Sequence, residues 1–136
     1  MKRLILLILI VLTVILLSGC TNLFFRIDAV VRITKVELTI IGSLKVDYTL
    51  TNVGNTEIDY YEIDFKGKCS DNTTISDWTN GLNVGPGETR VDYTFVSIGD
   101  KEVQQLYISA ITLKNYNFGT KYITGIISPV PVPYNP

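Results

Sequence analysis

At 136 residues, 46% of them hydrophobic, the chain has room for one domain and too little for two comfortable ones. Its formal net charge is −1 with no basic cluster, so the electrostatic footprint of a nucleic-acid binder is absent and no nucleic-acid partner is expected. It contains no histidine, which excludes Ser-His-Asp and Cys-His nucleophile arrangements and the commonest zinc ligand sets.

The amino terminus opens Met1-Lys2-Arg3 and runs from Leu4 to Leu17 with only Thr13 interrupting the aliphatic residues. A spanning helix needs about twenty apolar residues, whereas roughly seven to fifteen after a positive start fit a secretory h-region, expected as a short hydrophobic signal helix. The run ends Leu17-Ser18-Gly19-Cys20. This resembles the lipobox of bacterial lipoprotein signal peptides, where Leu, a small residue, and Gly or Ala precede a modified cysteine. The resemblance implies cleavage between Gly19 and Cys20 and a diacylglyceryl group on the Cys20 thiol. The implied partner is therefore a membrane, cell membrane or outer membrane, with the domain facing outside the cytoplasm. Each buried CH₂ contributes about 0.8 kcal/mol, so two or more acyl chains anchor stably where one does not. An uncleaved signal anchor with an incidental cysteine is the other reading of these residues.

The expected organisation is a signal peptide (1–19), a lipidated cysteine and linker (20–26), a domain (27–128) and a Pro-rich tail (129–136). Loss of Lys2 and Arg3 with the signal leaves ten basic residues against thirteen acidic, net −3. A domain of this size buries roughly two thirds of its unfolded surface and needs neither metal nor disulfide. With lipid on Cys20, Cys69 has no partner for a disulfide within the chain, and it reads as a small buried hydrophobe or an exposed thiol beside a turn.

Strand signals then recur in chain order, with no long stretch at helical spacing. Val36, Leu38 and Ile40 alternate with Lys35, Glu37 and Thr39. After Gly42-Ser43, Leu44, Val46, Tyr48 and Leu50 alternate with Lys45, Asp47, Thr49 and Thr51, as on a half-buried antiparallel strand. Asn52-Val53-Gly54-Asn55 predicts a turn. In the next strand Ile58 and Tyr60 share one parity while Tyr61, Ile63 and Phe65 share the other. A bulge at Tyr60-Tyr61 would bring all five to one face, with Glu57, Asp59, Glu62, Asp64 and Lys66 outside. A turn over Lys68 to Asn72 leads to a weak strand at Thr73 to Trp78, then a loop over Thr79 to Gly87. Val91, Tyr93 and Phe95 alternate with Arg90, Asp92 and Thr94; Val103 to Leu113 is apolar on both parities; Tyr122 to Ile127 is the last strand. The tail, with a proline at every other position from 129 to 133, is expected as extended polyproline II outside any ladder.

Seven strands in about 100 residues read as an all-β, seven-stranded Ig-like sandwich. Val46 to Thr56, a strand running into Asn-x-Gly, is similar to the cell-surface Ig-like modules of the CARDB and FxLyD types. Val84-Gly85-Pro86-Gly87-Glu88-Thr89 is similar to their Pro-Gly-Glu loop. LEA14-like desiccation domains share much of the pattern, though their usual Asn-Pro is Asn52-Val53 here. These resemblances imply a fold and a surface habitat, with no catalytic residue, metal or cofactor to transfer.

Carboxylates and tyrosines are the residue types that remain. Glu57, Asp59, Glu62 and Asp64 lie along one strand and read as a solvated face rather than a calcium site, which would draw oxygens from converging loops. Tyr48, Tyr60, Tyr61 and Tyr93 read as core or edge residues whose hydroxyls reach water. Tyr107, Tyr116, Tyr122 and Tyr134 are candidates for a glycan-stacking or protein-docking surface. Trp78 is expected in the core, with a binding face as the alternative. Asn72-Thr73-Thr74 is a glycosylation sequon expected to be idle. The function this supports is a non-enzymatic binding or accessory module, with an envelope protein or a glycan as partner. A structural, stress-protective role is the alternative.

An odd number of strands also sets an orientation: entry and exit fall at opposite ends. Gly42, Ser43, Lys68, Cys69, Ser70, Asp71, Gly99 and Asp100 are therefore expected in loops at the end away from the membrane, beside the tail. Binding residues concentrate on such loops.

Overall fold

The computed structural model describes residues 25–136; the apolar amino-terminal segment, Gly19 and Cys20 lie outside the described residues. Seven strands build the domain: β1 (Ala29–Leu38), β2 (Ser43–Asn52), β3 (Ile58–Cys69), β4 (Thr74–Val84), β5 (Thr89–Ser97), β6 (Val103–Asn115) and β7 (Gly119–Pro131). They form two antiparallel sheets, β1-β2-β5 and β4-β3-β6-β7, packed as a sandwich. Relative to the constant-type Ig order ABED/CFG, the fourth strand has moved to the second sheet and pairs with β3. No helix among the described residues is long and apolar enough to cross a membrane.

The strict alternation of β2 explains its central place. Leu44, Val46, Tyr48 and Leu50 are buried, while Lys45, Asp47, Thr49 and Thr51 line the outer face. Opposite them, Tyr61, Ile63 and Phe65 of β3 and Leu106, Ile108, Ile111 and Leu113 of β6 complete the core. Full burial of each such aliphatic side chain contributes about 1.5–3 kcal/mol, so these positions carry most of the driving force.

Several expectations need correction. The first strand begins six residues earlier than its clearest alternation, because Ala29, Val31 and Ile33 fill the core before an irregularity at Thr34 lets Val36 follow them. Leu38 and Ile40 share the alternation of buried Val36 but are exposed. No bulge occurs at Tyr60-Tyr61: the ladder to β4 runs unbroken there, Tyr60 to Leu82 and Tyr61 to Gly81. Tyr60 instead points outward, its hydroxyl donating to Glu62 Oε2 at 2.8 Å and its ring under the Lys114 ammonium. The weak strand is an eleven-residue one that takes in Asn80-Gly81. Gly81 is admitted there because the Tyr61 ring and hydroxyl occupy the space where a Cβ would stand.

The fifth strand is inverted relative to its hydrophobicity. Val91, Tyr93 and Phe95 face outward, while Arg90, Asp92 and Thr94 point between the sheets. At this open side the inward groups find polar partners: Arg90 donates to the Asn83 carbonyl at 2.9 Å, and Asp77 of β4 accepts from the Ser97 amide at 2.9 Å. Inward-pointing charges on edge strands discourage pairing with other chains.

The tail is also a correction, because it pairs where free polyproline II was expected. Gln105 pairs with Pro131, the Val132 amide donates to the Gln104 carbonyl at 3.0 Å, and Val36 and Tyr134 exchange backbone hydrogen bonds of 2.8 and 2.9 Å. The alternation of proline with Val130, Val132 and Tyr134 permits this. Prolines on an edge strand can place their missing amides on the solvent side, and Pro129, Pro131 and Pro133 are all exposed. Near Gly125 (φ 148°) and Ser128 (φ 48°) the β6–β7 register shifts, and Ser128 Oγ accepts from the Ile33 amide at 3.0 Å. The tail thus crosses from the edge of one sheet to the edge of the other.

Asn52 ties the opposite end together. It is fully buried; its side-chain amide donates to the carbonyls of Thr56 and Val84, both at 2.9 Å, and its Oδ1 accepts from the Gly54 amide at 2.9 Å. Asn52→Ala leaves these buried groups unpaired and is expected to cost about 3 kcal/mol, lowering Tm by roughly 10 °C or more. Thermal unfolding followed by circular dichroism checks this.

Candidate functional site

Seven strands carry the chain from entry at one end of the sandwich to exit at the other. Arg26 lies against the β2–β3 turn, its amide donating to Asn55 Oδ1 at 2.6 Å and its guanidinium to the Val53 carbonyl. The tail reaches the opposite end, where the Val132 amide meets Gln104 at the start of β6. Three loops share that far end, Thr39–Gly42, Ser70–Thr73 and Ile98–Glu102. A Cβ on Gly42 would touch the Gly99 carbonyl, and the Ser70 amide donates to the Glu102 carbonyl at 2.9 Å.

Most of the predicted site residues hold this end in shape. Asp71 Oδ1 accepts from the Thr73 amide at 3.0 Å and from its hydroxyl at 2.5 Å, while Oδ2 receives the Lys101 ammonium at 2.7 Å. The Lys101 and Thr73 donors hold the Asp71 carboxyl well below the usual range, and Asp71 in turn raises Lys101. Ser43 and Thr39 exchange a hydroxyl hydrogen bond of 2.8 Å across the hairpin. Lys68, Gly99 and Asp100 are exposed. Cys69 is unbridged and only 4% exposed, because it ends β3 on the core-facing parity; it fits the small buried hydrophobe, and its place among exposed loop residues is the correction.

The residues that stand out at this end are apolar ones. Leu38 is 65%, Ile40 fully and Ile41 86% exposed at the tip of the β1–β2 hairpin. Beside them a hollow of about 230 Å³ opens between the sheets, lined by Leu38, Leu44, Ile98, Val103, Val132 and Pro133, with Lys101 and Glu102 at its rim. A projecting aliphatic tip beside an apolar hollow suits shape-matched contact with a protein surface. The alternation of Val36, Leu38 and Ile40 marks these residues, but nothing in it separates the buried Val36 from the exposed pair.

A second surface lies on the outer face of β4-β3-β6. Trp78 is 57% exposed rather than in the core, because β4 turns it to the face opposite Ile75, Asp77 and Thr79. It borders a groove of about 370 Å³ with Asp64, Lys66, Ser76, Ser109 and Ala110. Burial pushes the Asp64 carboxyl upward, helped by Glu62, while Lys66 opposes the shift. Between the sheets, Tyr48 and Tyr61 bury hydroxyls without a satisfactory hydrogen bond, contrary to the expectation that they reach water. Among the described residues no three acidic or cysteine side chains converge as a metal site would require.

No family model matches the chain, and no curated protein matches it. Among solved structures it is similar to one described as the structural characterization of IrmA from Escherichia coli. The two share 12% sequence identity at a TM-score of 0.52, over 79% of this chain and 87% of that one. The likeness is one of fold.

The Asp71–Lys101 link gives a pH signature. A depressed Asp pKa contributes stability above the unfolded value of about 3.9 and loses it as pH falls through the lower folded value. A raised Lys pKa contributes below about 10.4 and loses it as pH rises further. The link is therefore expected to be unchanged between pH 5 and 9. NMR titration of the Asp71 carboxyl is expected to show a midpoint below 3.9 that moves upward in Lys101→Ala.

Proposed function

We propose that this chain is a non-enzymatic binding module, held at the outer face of a membrane by lipid on Cys20, that engages an envelope protein through its far end. The observation that carries the reading is the pair Ile40 and Ile41, exposed on the hairpin tip at the end opposite chain entry. Exposing two isoleucines side by side opposes the burial that folds the rest of the domain. The Leu17-Ser18-Gly19-Cys20 sequence supplies the anchor, and the tether from Cys20 enters at the other end, so the tip is the part left free to meet a partner. A purely structural domain would present mixed polar loops there. The exposed apolar tip favours binding.

Two measurements test the two halves of this reading. Cys20→Ser is expected to abolish lipidation, leave the precursor uncut and release no mature form, as read by intact mass and cell fractionation. Normal processing of that variant ends the lipoprotein assignment. A photo-crosslinking amino acid at Ile41 is expected to form a discrete protein adduct in intact cells, whereas one at Thr49, on the face of β2, is not. Equal behaviour at the two positions removes the hairpin tip as the binding site.

A further inference from the structure

The turn between β6 and β7, at the entry end, is Tyr116-Asn117-Phe118. Tyr116 is 75% and Phe118 47% exposed, and Phe118 stacks on Phe25 with ring centroids 3.9 Å apart and planes 12° from parallel. Phe25 is itself half-exposed. A stacked pair of rings thus stands in solvent where the chain enters the domain, with the exposed Tyr116 on the same turn.

The backbone of this turn is held fast. The Tyr116 amide donates to Asp59 Oδ2 at 2.6 Å, and the Asn117 and Phe118 amides donate to Asn115 Oδ1 at 2.9 and 3.0 Å. Asn115 is buried, and its own amide donates to the Glu57 carbonyl at 2.9 Å. Asp28, immediately before β1, receives the Lys121 ammonium at 2.7 Å and joins the entry segment to the start of β7. Every amide of the turn is satisfied, so its rings face outward from a fixed frame. Presenting them from a fixed backbone lowers the ordering cost on contact.

The length of the tether decides what these rings meet. Cys20 and Phe25 are five residues apart, a span of at most about 17 Å when fully extended. Lipid on Cys20 lies at the headgroup level, so the entry end can never move far from the bilayer. Aromatic side chains with an apolar body and, in tyrosine, a polar tip favour that interfacial layer. We infer that Phe25, Tyr116 and Phe118 form an interfacial anchor that seats the entry end of the domain in the lipid surface and stands the far end outward. The inference rests on the lipoprotein reading above. It makes the domain a fixed post whose Ile40–Ile41 tip is aimed away from the membrane.

The test uses the full-length, lipid-modified protein reconstituted in phosphatidylethanolamine–phosphatidylglycerol vesicles carrying a fraction of lipid with brominated acyl chains. In a Trp78→Phe background the single tryptophan is placed by Tyr116→Trp, by Phe118→Trp, or by Ile41→Trp as the far-end control. Both turn positions are exposed and tolerate the change, and retention of Tm shows that each variant is folded. Emission from positions 116 and 118 is expected to shift to the blue and to be quenched about twofold or more, as for indole in the interfacial layer, with position 41 unaffected. Lipid on Cys20 by intact mass together with turn tryptophans quenched no more than position 41 overturns the seating while leaving the anchor in place. Absence of lipid on Cys20 overturns both.

Discussion

The buried side-chain amide of Asn52 is the constraint on which the corner of this sandwich depends. It stands at the end of β2 in one sheet, yet its donors reach the carbonyl of Val84 in the other sheet and that of Thr56 in the connection between them. Its backbone adds the β4–β5 connection, accepting from the Gly87 amide and donating to the Glu88 carbonyl, both at 2.9 Å. One residue therefore sets the distance between the layers and the path of two loops. The entry segment is laid on the same corner: the Val53 and Gly54 amides donate to the Asp28 carbonyl, and a Cβ on Gly54 would collide with the Arg26 backbone. Asparagine and glycine two positions apart are thus needed for different reasons, one for its amide and the other for its lack of a side chain.

A sandwich of two open sheets has four edge strands, and each is blunted here by a different device. On one side β5 turns Arg90 and Asp92 inward, and β4 turns Asp77 inward, so a foreign strand would have to bury charge to pair there. On the other side β7 ends in alternating prolines, and β1 is capped by Tyr134. The inversion of β5 and the pairing of the tail, both unexpected from hydrophobicity alone, answer the same physical need. With the edges blunted, the large apolar side chains left exposed include those of the Ile40–Ile41 tip, the Trp78 face and the aromatic turn.

What could be read from the sequence was whatever local alternation dictates. Leu44 to Leu50 and Tyr61 to Phe65 reveal their faces because both neighbours in the sheet are present and the pleat is undisturbed. The strand count, the turns and the opposite placement of the two ends follow from the same pattern. Alternation misled where a residue's face was set by distant chain. Leu38 and Ile40 share the alternation of buried Val36 but are exposed, Val91 to Phe95 lie on an edge with no layer above them, and Trp78 follows the parity that Gly81 and Tyr61 fix. The tail was misread because proline was weighed only as a missing donor, when its period of two fits a strand that offers every second amide. At the far end the exposed groups that stand out are the aliphatic Leu38, Ile40 and Ile41, whose exposure local alternation does not reveal, rather than the small and charged residues of the turns.

The clasp between Val36 and Tyr134 has a consequence for how the molecule comes into being. The two residues are 98 positions apart, so the ladder on the outer edge of the first strand cannot be completed until almost the whole sequence has emerged. Contacts of such sequence separation slow the search for the native state. Until that pairing forms, the outer edge of β1 stays open along the stretch that Tyr134 covers. Closure of the β1 edge therefore belongs to the late, long-range part of folding rather than to the local strand pairing that precedes it.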